Sequence, residues 1–445
     1  MRLVSDSYVR RARGLAVAMC GAQPLRRVVV GLSVVSRPKA VVATLLLIAA
    51  GLAFTAIFHT PQRDSSGQSF ASGVGVSATA ADVLTTNSVD RDRNFASRVL
   101  HPSVTGVLPL DAKGLAALND SLRVGSDDTF SLLLHAVAVY GPTACVSSPA
   151  CGGEVGLTEL ALDSDLSARH FGGFRALCKT RYGARFPLVH KTLAHVEVGA
   201  EAHPGQALAV LAASGADLAT PLSLPGGESG ELRLVLDDLL ANFSLDGELY
   251  WDAVALSLLL PPAQTNWTNK FAQSFSFDDL ANELIARPET ASACLGIHRL
   301  ISLTVLYRAD RERPILTEAA RGRVSETLAL AVQRLCSSQA EDGSWSYRWS
   351  QEAAKQVSQF AVSLPEDPMW HVVATGHHLE WLVLLPPELA PPTSVYRRAG
   401  SWLYNRLMQQ IDDREWAKKL YCPVSHAVRC LNVLNAGDRL NPDRL

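Results

Sequence analysis

Cys294-Leu-Gly-Ile-His298 sets a thiol and an imidazole four residues apart. If one helix carries both, they share a face and present two metal ligands of the kind zinc takes. Gly296 between them supports the alternative of a turn, in which Cys294 packs as a small buried hydrophobe and His298 caps the helix behind it. His190, His195 and His203 also lie close together, but separations of 5 and 8 do not fall on one helical face, and His203-Pro204 reads as a helix start in a loop. The chain has no CxxC, GxSxG, Walker A or GxGxxG pattern. Thioredoxin-type, serine-hydrolase, nucleotide-phosphate and dinucleotide chemistry therefore lack support.

The elements that must position such residues read as helices. SLLLHAVAVYG, HPGQALAVLAASGA, WDAVALSLLLPP, LISLTVLYRA, VSETLALAVQRLCSS, HHLEWLVLLPPEL and SHAVRCLNVLNAG carry apolar residues at helical spacing, and many stop at Gly or Pro-Pro. Strand-like alternation is hard to find. His135, His203, His298, His378 and His426 each open or punctuate such a segment, and ELYWDAVALSLLLPP echoes HLEWLVLLPPELAPP. Such self-similarity is what a helical-hairpin repeat leaves, because each hairpin buries its apolar face only against its neighbours. The expected body is all-α over residues 96–445, closed as an α/α toroid rather than an open solenoid. His135, His203, His378 and His426 are candidates for the rim of its cavity.

The whole chain has 445 residues, of which 48% are hydrophobic and 19% charged, with a formal net charge of −2. A packed core is expected, and a general nucleic-acid partner is not. Residues 40–58, AVVATLLLIAAGLAFTAIF, form an uncharged apolar run of 19 residues, long enough to cross a bilayer as a helix. Eight basic residues against Asp6 fill the segment before it, residues 1–39, which the positive-inside rule keeps cytoplasmic. An uncleaved single-pass anchor with an exported C-terminal domain is expected, and a cleaved signal peptide is the alternative. Residues 59–95, rich in Ser, Ala, Thr and Gly, read as a flexible stalk. With Cys20 on the cytoplasmic side, seven of the eight cysteines lie on the oxidising side. Cys145 and Cys151 are placed for a local disulfide, while Cys294, Cys336 and Cys430 sit in helical patterns as buried thiols.

Gln339-Ala-Glu-Asp-Gly343-Ser-Trp345 resembles the Gln-x-x-x-Gly-x-Trp half of the repeat of squalene cyclases and related prenyltransferase-like α/α toroids. Asp246-Gly247-Glu248 with Trp251 resembles a degenerate copy. The resemblance implies structural work, with Gln339 and Trp345 tying the end of one helix to the next hairpin. It carries no catalytic acid: Asp163 to Asp165, Asp237-Asp238 and Asp278-Asp279 do not fit the cyclase donor motif, and the latter two pairs read as helix-start acids that favour the helix dipole. The zinc sites of such toroids combine Cys and His with a third ligand from another helix, which implies Asp237, His203 or His378 as the partner of Cys294 and His298. Separately, Gly376-His377-His378-Leu379-Glu380-Trp381 is similar to a stretch of the N-acylglucosamine epimerase-like (α/α)6 barrels, which implies proton transfer by His377 with Glu380 beside it.

The expected protein is thus membrane-anchored, with an extracytoplasmic toroid that binds a small molecule, a glycan or a protein in its central cavity. Two alternatives stand beside that expectation. One is an enzyme, either of the sugar isomerase or epimerase kind or with zinc-dependent prenyl or thiol chemistry. The other is a non-enzymatic interaction scaffold.

Overall fold

Among the described residues, the computed structural model contains a helical segment at 95–100 and thirteen further α-helices. In chain order the thirteen are α1 (Ala112–Ser121), α2 (Phe130–Tyr140), α3 (Leu157–Leu162), α4 (Ser164–His170), α5 (Gln206–Ala213), α6 (Arg233–Asn242) and α7 (Tyr250–Leu259). There follow α8 (Phe277–Ala286), α9 (Ile297–Glu312), α10 (Glu318–Ser338), α11 (Pro368–Leu382), α12 (Thr393–Met408) and α13 (Tyr421–Asn435). The structure describes residues 95–125, 128–188, 201–288, 294–350, 368–413, 416 and 420–436. The basic segment 1–39, the apolar run 40–58, the stalk up to residue 94, His190 and His195 lie outside the described residues. Among the described residues, no helix is long and apolar enough to cross a membrane.

Two kinds of helix alternate. In α5, α7 and α9 nearly every residue is buried, whichever way it faces, whereas α1, α8, α10 and α12 bury one side and expose the other. A helix that is apolar all round must be enclosed by others, and an amphipathic one lies outside. The enclosed set packs in chain order: α2 on α5, α5 on α7, α7 on α9, α9 on α11, α11 on α13, and α13 on α2. Outside it, α8 lies on α9 and α10, and α12 lies on α11, α13 and α1.

Side chains cap several helix starts. Asp111 accepts from the amides of Lys113 and Gly114 at α1, Asp163 from Asp165 and Leu166 at α4, and Ser276 from Asp279 at α8. Asp163 and Asp279 are therefore helix-start acids. Asp238 is buried beside Arg185, and Asp237 is exposed on α6.

Among the described residues, four antiparallel hairpins, absent from the sequence expectation, join the helices. They are β1 (Cys145–Ser148) with β2 (Gly153–Gly156), β3 (Cys178–Lys179) with β4 (Ala184–Arg185), β5 (Pro221–Leu224) with β6 (Glu228–Glu231), and β7 (Asn266–Thr268) with β8 (Ser274–Ser276). The all-α expectation is corrected to a predominantly helical body with small sheets. Strands of two to four residues are too short to show an alternating pattern. The first hairpin also overturns the disulfide. Cys145 lies opposite Gly156, and its thiol donates to the carbonyl of Thr143; Cys151 sits past the strand end and faces the carbonyl of Leu166. Both are free thiols.

The Gln339–Trp345 segment ties helices together as its resemblance implies. Gln339 ends α10 and donates through Nε2 to the carbonyls of Gly343 (2.9 Å) and Val395 in α12 (3.0 Å). The fully buried indole of Trp345 donates back to the carbonyl of Leu335 in α10, and its amide donates to Thr375 Oγ1 in α11. Gly343 turns the chain between them at φ +98°, where a Cβ would stand 2.5 Å from the carbonyl oxygen of Arg398. Gly343→Ala is therefore expected to cost more than about 1 kcal/mol in urea denaturation, from left-handed strain and overlap together. A neutral result would show that this turn is free to relax.

Trp251 does not repeat that arrangement. Its indole nitrogen lacks a hydrogen-bond partner, and its ring lies 5.4 Å from that of His298.

Candidate metal centre

Where the enclosed helices meet, five imidazoles form a line. Ring centroids of His135 and His426 are 5.1 Å apart, His426 and His377 4.2 Å, His377 and His298 5.6 Å, and His298 and His203 5.1 Å. None of the five is more than 8% exposed. Each comes from a different element: His135 from α2, His203 from the turn before α5, His298 from α9, His377 from α11 and His426 from α13. Two of the four rim candidates, His135 and His426, thus meet directly, and His203 joins them through His298 and His377.

His378 does not join the line. One residue on from His377, it points to another side of α11, where its Nδ1 accepts from the indole of Trp381 (3.2 Å) among the rings of Trp345 and Trp349. It is a packing residue. Neither His378 nor the exposed Asp237 completes a ligand set with Cys294 and His298.

The sequence left open whether Cys294 and His298 share a helix or flank a turn, and the structure contains both elements. Cys294–Gly296 is a single 3-10 turn, Gly296 caps α9 at φ +83°, and His298 is the second residue of that helix. Cys294 itself holds φ +51°, a conformation that costs a residue with a Cβ about 1–2 kcal/mol. The turn nevertheless brings thiol and imidazole together, and His377 is the third member: one donor atom from each of the three lies within 4.8 Å of the others. His203, Glu248 and His298 satisfy the same distance, as do His135, Cys422 and His426.

Hydrogen bonding sets which atoms remain available. His377 donates through Nδ1 to the carbonyl of Val373 (2.9 Å), which leaves Nε2 as the lone-pair nitrogen, buried and without a partner. Both ring nitrogens of buried His298 also lack one. His203 Nδ1 stands 2.7 Å from Glu248 Oε1, an ion-pair distance. Buried polar atoms without a partner cost about 1–3 kcal/mol each unless something binds them. A ligating histidine ordinarily donates its other N–H to a carbonyl or carboxylate, as His377 does.

Electrostatics agree with neutral imidazoles. Burial, with the neighbouring rings adding to it, pushes His135 and His298 well below the ordinary histidine range and His377 down to about 3. Neutral imidazole is the form that binds metal. Burial alone would raise Glu380, but His426, Arg429 and His377 around it outweigh that and hold it down to about 2. Its Oε1 accepts from His426 Nδ1 (2.8 Å) and Arg429 (3.0 Å). Glu380 is therefore the partner of His426 and Arg429, one turn along α11 from His377.

Tyr250, Trp251, Val254, His298, Ile301 and Ser302 line a pocket beside the centre that has no room for a water molecule.

Sequence reasoning missed Glu248, His377 as a ligand, and Cys422. The last was readable, because Cys422-Pro-Val-Ser-His426 repeats the spacing of Cys294-Leu-Gly-Ile-His298.

No protein-family model matches the chain, and no curated protein or solved structure matches it. Fold and site together define a class: a predominantly helical domain with a buried cysteine–histidine cluster among its enclosed helices.

Proposed function

We propose that this chain is a membrane-anchored protein whose exported domain is an α/α toroid that binds a zinc-class transition metal at its centre, through Cys294, His298 and His377. The observation that carries the reading is the convergence of three donors within 4.8 Å, with both nitrogens of His298 and the Nε2 of His377 buried and unpartnered. One thiolate and two neutral imidazoles suit zinc, and copper(I) next, far better than magnesium or calcium. The strained backbone of Cys294 fits a residue held for its thiol.

The toroid reading rests on the alternation of enclosed and amphipathic helices and on the packing order that runs from α2 through α13 and back to α2. The anchor rests on the apolar run at 40–58 and the basic residues before it. A sugar, an isoprenoid or a peptide segment would need the pocket beside His298 to open, since it has no room for a water molecule. Proton transfer by His377 and Glu380 would have to use His377 Nε2 and Glu380 Oε2, since the carbonyl of Val373 engages the other ring nitrogen and His426 with Arg429 the other carboxylate oxygen. Three protein ligands leave the fourth position of a tetrahedral zinc ion to be filled by something else.

The test is elemental analysis of the detergent-solubilised full chain beside Cys294→Ser and His298→Ala. Each variant is expected to lose one equivalent of zinc relative to the parent. Parent and variants with equal metal content would rule out this site.

A further inference from the structure

We infer that the chain holds a second metal site of the same chemical class, formed by His135, Cys422 and His426, and more accessible than the first. It stands on different residues from the centre proposed above, apart from the shared neighbourhood of His377.

The two trios are built alike. In each, a cysteine precedes a histidine by four residues at the start of an enclosed helix, Cys294 and His298 at α9, Cys422 and His426 at α13. In each, the third donor is a histidine on the helix packed alongside: His377 on α11 beside α9, and His135 on α2 beside α13. The donor atoms of His135, Cys422 and His426 lie within 4.8 Å of one another. Within the first turns of α13, a four-residue spacing places thiol and imidazole on the same face.

The surroundings of His426 are those of a ligand. Its Nδ1–H donates to Glu380 Oε1 at 2.8 Å, and Arg429 holds the same oxygen at 3.0 Å. That fixes the tautomer and leaves Nε2 with the lone pair, the carboxylate–histidine–metal arrangement that orients ligating imidazoles. Packing alone would not require a thiol to stand at this point.

The sites differ in exposure. Cys294 is buried, whereas Cys422 is half-buried, so ions reach the second site without opening the core. A thiolate with two imidazoles takes zinc or copper(I). The second ion is the one that exchanges first, and the first is retained.

Two measurements on the solubilised full chain test this. Zinc content is expected to be two per chain, falling to one in Cys422→Ser and in His135→Gln, with far-UV circular dichroism to confirm folding. Cys294→Ser is also expected to hold one, so loss of the first site and loss of the second are read separately. One zinc per chain unchanged by Cys422→Ser, or two unchanged by both second-site variants, would overturn the inference. The second measurement needs no substitution: native alkylation by a maleimide, mapped by mass spectrometry, is expected to modify Cys422 after brief chelation and not after zinc is restored. Equal modification of Cys422 with and without zinc would also overturn it.

Discussion

Removal of metal with a strong chelator is expected to lower the melting temperature of the full chain by about 5 °C, and added zinc is expected to restore it. An ion that binds only the folded state stabilises it by about 2.7 kcal/mol when present at 100 times its dissociation constant. For a domain of this size each kcal/mol corresponds to roughly 2 °C. The stripped protein also keeps His298 and His377 Nε2 buried without partners. Magnesium is expected not to substitute, since it seeks an oxygen shell and the site offers sulfur and nitrogen. Differential scanning calorimetry with and without chelator makes the comparison, and a melting temperature indifferent to both chelator and zinc would count against a metal that organises the core.

Trp345→Ala is expected to cost about 3–5 kcal/mol, the range for removing a large aromatic side chain from a packed interior. Trp345 is fully buried and ties two helices: its indole donates to Leu335 at the end of α10, its amide is held by Thr375 in α11, and its ring lies against His378 of the same helix. The substitution leaves a cavity and leaves the carbonyl of Leu335 to the long contact from the Ser338 hydroxyl (3.4 Å). Trp345→Phe keeps most of the volume and loses mainly the indole hydrogen bond, so about 1–2 kcal/mol is expected there. Urea denaturation separates the two, and a loss under about 1 kcal/mol for the alanine variant would show that the segment is not a tie. Because His377 follows Thr375 on the same helix, the alanine variant is also expected to bind metal more weakly.

Local pattern was legible in the sequence, and long-range meeting was not. The apolar runs around His135, Ala207, Ala253, Leu303, Leu379 and Val428 are the enclosed helices α2, α5, α7, α9, α11 and α13. They were readable because a helix buried all round shows a continuous excess of Leu, Ala and Val. Gln339 and Trp345 were readable because their work is done within a few residues and against the next helix. The hairpins were not, since Cys178–Lys179 and Ala184–Arg185 are too short for any period to register.

At the site, the pairing of Cys294 with His298 follows from spacing, whereas its third member comes from nearly eighty residues further on and depends on α9 packing beside α11. His377 and His378 illustrate the limit. Adjacent in sequence and identical in type, they point to different sides of α11, one into the histidine line and one into an aromatic nest of Trp345, Trp349 and Trp381. No single-sequence pattern separates them. Cys422 differs, because its Cys-x-x-x-His spacing to His426 repeats that of Cys294 to His298 and is legible in the sequence.

The most direct test of the central claim is X-ray absorption at the zinc edge on the metal-loaded full chain, compared with Cys294→Ser. A mixed shell is expected, with sulfur at about 2.3 Å and imidazole nitrogen at about 2.0–2.1 Å, and with the sulfur contribution reduced in the variant. A shell of oxygen and nitrogen without sulfur, or one that Cys294→Ser leaves unchanged, would contradict a metal centre built on Cys294, His298 and His377.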